Sequence, residues 1–215
     1  MTLVIAALGQ KFVVLGTDSR GTIDFGGNRV ELNSMKKLTK ISKHVRILMY
    51  GDAEYADYII EEFKKTLKGK NHDTTEIAKK LAEMCREEGR KVNDVPATYL
   101  PLFGLVIAGL DKKGGEYVPR CYVFTSATGF RLRIPKHGFA LEGKTTIAYY
   151  LFAKNYQKDM DVDKISSLVA QTLYDTISVD GDVGGKIRIV IIEKSGIREI
   201  PDNDINELIG DKWGR

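Results

Sequence analysis

The amino terminus places two reactive groups on one residue. Thr2 follows the initiator methionine and opens an apolar segment, so removal of Met1 leaves a hydroxyl and a free α-amine on the same threonine. An α-amine titrates at about pH 7.7–8.0 and can accept the hydroxyl proton at neutral pH, directly or through one water. This arrangement supplies a nucleophile and its base without a histidine. The sequence therefore predicts a nucleophile at Thr2, on condition that Met1 is removed.

A threonine of this kind needs three further groups. A positive charge favours the alkoxide, a carboxylate holds that charge in place, and an N–H donor stabilises the oxyanion. Asp18 and Lys37 are candidates for the carboxylate and the cation, and Gly51, at a predicted strand-to-helix turn, can present a backbone N–H. Taken singly, these residues also fit ordinary roles as a turn residue, a surface lysine and a helix start.

Other chemistries lack the residues they need. The histidines His44, His72 and His137 show no metal-ligand spacing and accompany no G-x-S-x-G motif. The glycine-rich segment 181–185 has neither a Walker lysine nor a dinucleotide-binding helix after it, and Asp180-Gly-Asp182 lacks the glutamate that completes a calcium loop. We therefore expect no metal and no cofactor.

Composition predicts an ordinary globular protein. The 215 residues carry 33 basic and 29 acidic side chains, and the surplus of +4 is spread over the chain, so nucleic acid is not an expected partner. No apolar run is long enough to span a bilayer. The two cysteines, Cys85 and Cys121, are too few for a disulfide framework, which favours a reducing compartment, and we expect a cytoplasmic protein.

Hydrophobic periodicity predicts alternating groups of strands and helices. The predicted strands are Leu3–Leu8, Phe12–Leu15, Leu38–Ile41, Val45–Tyr50, Leu102–Leu110, Tyr117–Thr125, Arg131–Ile134, Phe139–Leu141 and Ile187–Ile192. The predicted helices run from Ala56 to Leu67, from a cap at Asp73 to Gly89, from Lys144 to Tyr156 and from Asp163 to Ile177. Thr17–Asn28 is predicted to be a loop, and the residues after Ile192 a polar tail. With no break in composition, we expect one domain over residues 1–215, with helices covering stacked sheets.

Five short segments, taken together, resemble one known family. They are Thr2-Leu-Val4, Gly16-Thr-Asp18-Ser-Arg20, Lys36-Lys37-Leu-Thr-Lys-Ile41, Tyr50-Gly51-Asp52 and Asp180-x-x-x-Gly184-Gly185. In order and spacing they resemble β-type proteasome subunits and their relatives, over nearly the whole chain. None of the segments is specific alone, but five in register are.

The resemblance implies a fold and a set of roles. The fold is that of the N-terminal-nucleophile hydrolases, an α+β, four-layer αββα sandwich of two antiparallel sheets between helix layers. Thr2 would be the nucleophile, Asp18 and Lys37 its charge-tuning pair, Gly51 the oxyanion donor and Asp180 the group that orients the terminal amine. By the same resemblance, the pocket beside the nucleophile would be lined by Gly21, Met49 and Ala53. For Met49 and Ala53, ordinary core packing is an equally good interpretation.

Two positions depart from the family pattern. Leu141-Glu142-Gly143-Lys144 stands where the family usually has a Gly-Ser-Gly-Ser-like segment, and Val183 stands where it has a serine. Two hydrogen-bonding partners of the α-amine are therefore absent, and Glu142 or Lys144 is a possible substitute. Poor positioning can cost orders of magnitude in rate.

Three functions remain open at this stage. The first is a threonine peptidase that forms an acyl-enzyme and releases it to water, acting on peptides or unfolded proteins within a homo-oligomer such as a ring. The second is a proteasome-like peptide ligase, in which an amine resolves the same acyl-enzyme. The third is a catalytically silent subunit that keeps the fold for assembly or binding, which retention of Met1 would favour.

Overall fold

A computed structural model describes residues 2–67, 72–91 and 101–210. The strands are β1 (Leu3–Leu8), β2 (Val13–Thr17), β3 (Gly21–Phe25), β4 (Asn28–Leu32), β5 (Leu38–Lys40), β6 (Val45–Gly51), β7 (Phe103–Lys113), β8 (Glu116–Thr125), β9 (Phe139–Gly143), β10 (Arg188–Glu193) and β11 (Gly196–Glu199). The helices are α1 (Ala53–Thr66), α2 (Thr74–Lys91), α3 (Thr146–Asn155), α4 (Val162–Val179) and α5 (Asp202–Gly210).

The strands form two antiparallel sheets and a separate hairpin. The first sheet has the order β11-β10-β2-β1-β9, and the second has the order β5-β6-β7-β8. Strand β1 lies between β2 and β9, with Val4 opposite Thr17 and Leu3 opposite Gly143. The residues just before β1 and just after β2 therefore meet at one end of the first sheet. The hairpin β3–β4 follows β2 directly.

Successive side chains of β1 pack into two different apolar clusters, which shows why the sheets stack. Leu3 and Ile5 belong to an apolar cluster that includes residues of α3, α4 and α5, whereas Val4 and Ala6 belong to a cluster shared with β6, β7 and β8. A third cluster lies between the second sheet and helices α1 and α2. Because successive side chains of a strand point to opposite faces, each sheet buries both of its faces. The result is the predicted four-layer αββα sandwich.

Several sequence predictions about elements are confirmed. The predicted strands near β1, β2, β7 and β8 are all present. Strands β1 and β2 form a hairpin, and β7 and β8 form another, whose two-residue turn Gly114-Gly115 has positive φ angles of 56° and 88°. Such angles suit the turns that join twisted antiparallel strands. Both cysteines are buried and free, and burial raises the pKa of the Cys85 thiol to about 12.

Four local predictions are wrong. The predicted loop Thr17–Asn28 contains β3, and the predicted polar tail contains β11 and α5. These elements are short and bury few side chains: β4, the partner of β3, is exposed throughout, and Ile205 alone is buried in α5. Arg131–Ile134 contributes a single bridge, between Val123 and Arg133. Helix α2 continues past Gly89 to Lys91.

Two aspartates cap the start of α2, one buried and one exposed. The buried Asp111 accepts hydrogen bonds from the N–H groups of Thr74 (2.8 Å) and Thr75 (3.3 Å) and from the Thr75 hydroxyl. The exposed Asp73 accepts from the N–H of Glu76 at 2.7 Å.

The two caps should differ in their contribution to stability. We expect Asp111→Ala to lower the free energy of unfolding by about 2–3 kcal/mol, because it leaves buried donors without acceptors. We expect the matched variant Asp73→Ala to cost only about 1 kcal/mol, the usual value for an exposed cap. Urea unfolding followed by circular dichroism measures both, and equal losses would contradict the assignment of Asp111 as the principal cap.

Candidate active site

The Asp18 carboxylate lies immediately after β2 and is fully buried. Its Oδ1 accepts from the Leu3 N–H (3.0 Å) and from Lys37 Nζ (2.7 Å). Its Oδ2 accepts from the N–H groups of Arg20 (3.2 Å) and Gly184 (3.1 Å). Four donors from separate segments satisfy one buried charge, as a buried carboxylate requires. The structure thus brings Asp18 and Lys37 together, as the sequence predicted.

Lys37 is also buried, with 1% of its side chain exposed. Its ammonium donates to Asp18 and to the backbone oxygen of Arg20. Burial lowers the pKa of Lys37 from its usual value, the nearby charge of Arg20 adds to the lowering, and Asp18 opposes it by attraction and hydrogen bonding. The lysine is therefore no surface residue, and its proton is held mainly by Asp18.

Thr2 is connected to this ion pair through the next residue, Leu3. Asp18 bonds the N–H of Leu3, the residue after Thr2, and only 8% of Thr2 is exposed. The Thr2 carbonyl accepts from the Lys144 N–H at 2.8 Å. Gly143 has a φ of 90°, and a Cβ there would lie 2.0 Å from the Thr2 oxygen, so this position needs glycine. Strand alternation places the Thr2 side chain on the face of β1 that carries Val4, toward the second sheet.

Gly51 ends β6 at the predicted strand-to-helix turn. Its φ is 84°, and a Cβ would lie 2.2 Å from the Leu102 oxygen. The next residue, Asp52, donates its N–H to that same oxygen (2.9 Å), and its side chain caps α1 by accepting from the Tyr55 N–H (3.0 Å). The turn is therefore fixed from both sides. The role of Gly51 as an oxyanion donor stays a prediction.

Asp180 is the residue that ends α4. Its N–H donates to the Thr176 oxygen, and its Oδ1 accepts from the Asp182 N–H, both at 2.9 Å. The carboxylate therefore shapes the loop that leads to Gly184, which in turn bonds Asp18. Orientation of the terminal amine by Asp180 stays a prediction.

The three residues expected to line the substrate pocket lie in two environments. Met35 packs directly over Gly21, since a Cβ on Gly21 would lie only 1.6 Å from its Sδ. Met49 is 1% exposed and belongs to the cluster beneath α1 and α2, and Ala53, at the start of α1, packs against that cluster. Contact of these residues with substrate stays a prediction.

Sequence reasoning missed the role of Ser19. Its buried hydroxyl donates to the Asn33 oxygen and accepts from the Lys186 N–H, both at 2.7 Å. Gly185 has a φ of 74°, and a Cβ there would lie 2.4 Å from the Ser19 oxygen. The signal was the adjacent glycine pair, which allows the loop after α4 to approach the segment after β2.

Sequence reasoning also missed the contacts of the Arg20 side chain. Its guanidinium donates to the Gly181 oxygen (2.7 Å) and to Asn33 Oδ1 (3.0 Å), and it pairs with Glu31 at 3.2 Å. Arg20 thereby connects the loop after α4 to strand β4 and the residue after it.

The two possible substitutes for the family's serine hydroxyls are both engaged in ion pairs. Glu142 pairs with Arg133 at 2.6 Å, and Lys144 pairs with Asp182 at 2.9 Å. Asp182 also pairs with Arg29 at 2.6 Å, and hydrogen bonds from these two cations lower its pKa to about 2.

Comparison with known proteins identifies the family. A family profile described as "Proteasome subunit" matches residues 2–192. The chain belongs to the proteasome subunit family. Its β-subunit relatives and the two stacked sheets confirm the expected resemblance and fold. Among the described residues, no three histidine, cysteine or acidic side chains are grouped to hold a metal, and no helix could cross a membrane.

The relatives are distant but match almost the whole chain. The chain is 28% identical to proteasome subunit beta type-9 of Salmo salar (92% of this chain, 85% of the relative) and 27% identical to proteasome subunit beta type-1 of Saccharomyces cerevisiae (93% and 86%). It is 22% identical to a proteasome subunit beta of Methanocaldococcus vulcanius (97% and 89%). The solved structure of the Anbu (Gly-1) mutant from Hyphomicrobium is similar with a TM-score of 0.74 and 16% identity, covering 98% of this chain and 92% of that one.

The buried ion pair predicts a specific pattern of stability. We expect Asp18→Asn to lower the free energy of unfolding by about 3–5 kcal/mol, because it leaves the Lys37 ammonium buried without its counter-charge. The double variant Asp18→Asn/Lys37→Met removes the charge as well and should be more stable than Asp18→Asn alone. Purely additive losses would contradict this coupling.

The loss of stability caused by Asp18→Asn should also depend on pH. Without Asp18, the pKa of Lys37 falls further below its unfolded value of about 10.4, so the unfolded chain binds more protons between the two pKa values. Stability of Asp18→Asn should therefore rise with pH in that window, and its deficit relative to the unsubstituted protein should be smaller at pH 9 than at pH 7. Urea titrations at both pH values, with Lys37→Met as the control, measure this.

Proposed function

We propose that this protein is a threonine peptidase in which Thr2, exposed by removal of Met1, is the nucleophile. The observation that carries the proposal is the buried Asp18–Lys37 pair hydrogen-bonded to Leu3, the residue next to Thr2, in a chain of the proteasome subunit family. A surface role for Lys37 would not require a buried lysine against a fully buried carboxylate.

In the proposed reaction, the Thr2 hydroxyl oxygen attacks a peptide carbonyl carbon while its proton passes to the α-amine. The carbonyl oxygen takes the negative charge, which the Gly51 N–H would stabilise. The C–N bond then breaks, the leaving amine takes the proton from the α-ammonium, and an ester remains on Thr2. Water hydrolyses the ester with the same amine as base, which releases the acid and restores the hydroxyl.

The charged groups have separate roles in this scheme. The Lys37 ammonium would lower the pKa of the Thr2 hydroxyl, and Asp18 holds that ammonium in place. Asp180 would orient the amine from the end of α4. Burial lowers the pKa of Lys37, and attraction and hydrogen bonding from Asp18 oppose that lowering and so favour the charged form of the lysine.

Membership of the family supports a proposed substrate class and assembly. Peptides or unfolded proteins are the proposed substrates, and a homo-oligomer such as a ring is the proposed assembly. Gly21, Met49 and Ala53 are proposed to line the pocket for the side chain before the cut bond. Small and flexible apolar residues of this kind suit an apolar substrate side chain.

Intact-mass analysis with a β-lactone probe tests the proposal directly. We expect loss of Met1 and one probe adduct per chain, because the activated Thr2 hydroxyl opens the lactone to an ester. Thr2→Ala should carry no adduct while keeping the same oligomeric mass. Met1 retained with no adduct would overturn the proposal and favour a silent subunit.

A second step separates hydrolysis from ligation. A fluorogenic peptide is incubated with the protein, with and without a millimolar acceptor amine, and the masses of the products are measured by mass spectrometry. We expect the free acid as the main product in both cases. An amide product that dominates would show that an amine, not water, resolves the acyl-enzyme.

A further inference from the structure

A continuous set of contacts connects the Thr2 carbonyl to the Asp18 carboxylate outside the Lys37 pair. The Lys144 N–H donates to the Thr2 oxygen at 2.8 Å, and Lys144 Nζ pairs with Asp182 Oδ2 at 2.9 Å. Two residues later, the Gly184 N–H donates to Asp18 Oδ2 at 3.1 Å. The Lys144–Asp182 ion pair therefore joins the segment that holds Thr2 to the loop that holds Asp18.

The Asp182 carboxylate and backbone are both held by further contacts. Its Oδ1 pairs with Arg29 at 2.6 Å, and its N–H donates to Asp180 Oδ1 at 2.9 Å. Only 18% of its side chain is exposed, against 33% for Lys144 and 46% for Arg29. Two cations and a backbone anchor thus hold one carboxylate between β4 and the residue after β9.

The residue after Asp182, Val183, also fixes the loop that follows α4. Val183 is 1% exposed and belongs to the apolar cluster beneath α4. The Val183 side chain therefore packs in the core, and the contact of this loop with Lys144 comes from Asp182, the residue before it.

We infer that Asp182 is a positioning residue for Thr2, acting through Lys144. The inference rests on the proposed function, since it assigns a residue to the same reaction. Lys144 is held at its backbone by the Thr2 carbonyl and at its side chain by Asp182. When the carboxylate is neutralised, the second restraint is lost, and the N–H of Lys144 holds the Thr2 carbonyl less well.

Hydrogen exchange tests the positional part without relying on activity. In Asp182→Asn, we expect the Lys144 amide to exchange roughly three- to tenfold faster, as loss of a partly exposed ion pair would allow. The readout is exchange mass spectrometry of the peptide spanning residues 141–145. Asp182→Glu should restore most of the protection, because it restores the charge. Unchanged exchange in Asp182→Asn would overturn the inference.

The rate of covalent labelling tests the functional part. We expect Asp182→Asn to lower the first-order rate of β-lactone acylation at Thr2 by roughly three- to tenfold with little change in the probe concentration at half-maximal rate, since positioning affects the reacting step. Lys144→Met, which keeps the backbone amide, should give a similar loss. The double variant Asp182→Asn/Lys144→Met should be no slower than Asp182→Asn alone, because both substitutions break the same Lys144–Asp182 linkage.

A matched control separates this effect from loss of any surface ion pair. Lys186 and Asp202 pair at the same distance, 2.9 Å, but are 71% and 66% exposed. Asp202→Asn should change neither the acylation rate nor Lys144 exchange. Additive losses in the double variant, or an equal effect of Asp202→Asn, would contradict a specific role for Asp182. If the unsubstituted protein does not label at all, the proposed function fails, while Lys144 exchange still decides the positional inference.

Discussion

The rest of the site depends on one buried charge. Asp18 is fully buried and accepts from Leu3, Arg20, Lys37 and Gly184, so it fixes the strand after Thr2, the start of the β3 hairpin, the catalytic lysine candidate and the loop after α4. An ionised group in such a place is stable only if each of these partners stays where it is. The folding requirement and the proposed chemical requirement are therefore the same set of hydrogen bonds, which ties correct assembly of the core to correct placement of Thr2.

The stacked sheets explain how distant segments reach this charge. Leu3, the residue after Thr2, reaches Asp18 because β1 and β2 are antiparallel neighbours, and Gly184 arrives with the loop that enters β10 on the other side of β2. Lys37 comes from the second sheet, directly before β5, and its carbonyl accepts from the Met49 N–H at 2.9 Å on β6. The Asp18–Lys37 pair thus spans the two sheets, and the apolar layer between them fixes the distance that the pair must bridge.

The sequence predicted the strands and helices that form the core and missed short elements at the surface. Strand β1 is buried on both faces and reads as a continuous apolar run, whereas β4 is exposed along its whole length, mixes Val30 and Leu32 with polar residues, and was not predicted as a strand. The pairing of Asp18 with Lys37 was predicted from chemical need and from the family resemblance. The contacts of Ser19 and Asp182 were not, because no local pattern relates them to partners more than 30 residues away; only the folded register of β2, β9 and β10 brings those partners together.

The surroundings of Thr2 in this chain also depend on charge where the family resemblance led us to expect hydroxyl groups. A serine hydroxyl donates and accepts at short range and is little affected by salt, whereas Lys144 and Arg29 hold Asp182 through ion pairs that are partly open to solvent. Pairs of this kind are screened as ionic strength rises, but buried pairs such as Asp18–Lys37 are screened much less. In the proposed reaction the buried Asp18–Lys37 pair would set the electrostatics around Thr2, and the more exposed Lys144–Asp182 pair would adjust its position. Because the Lys144–Asp182 pair lies outside the apolar clusters, it can be altered without removing a buried charge from the core.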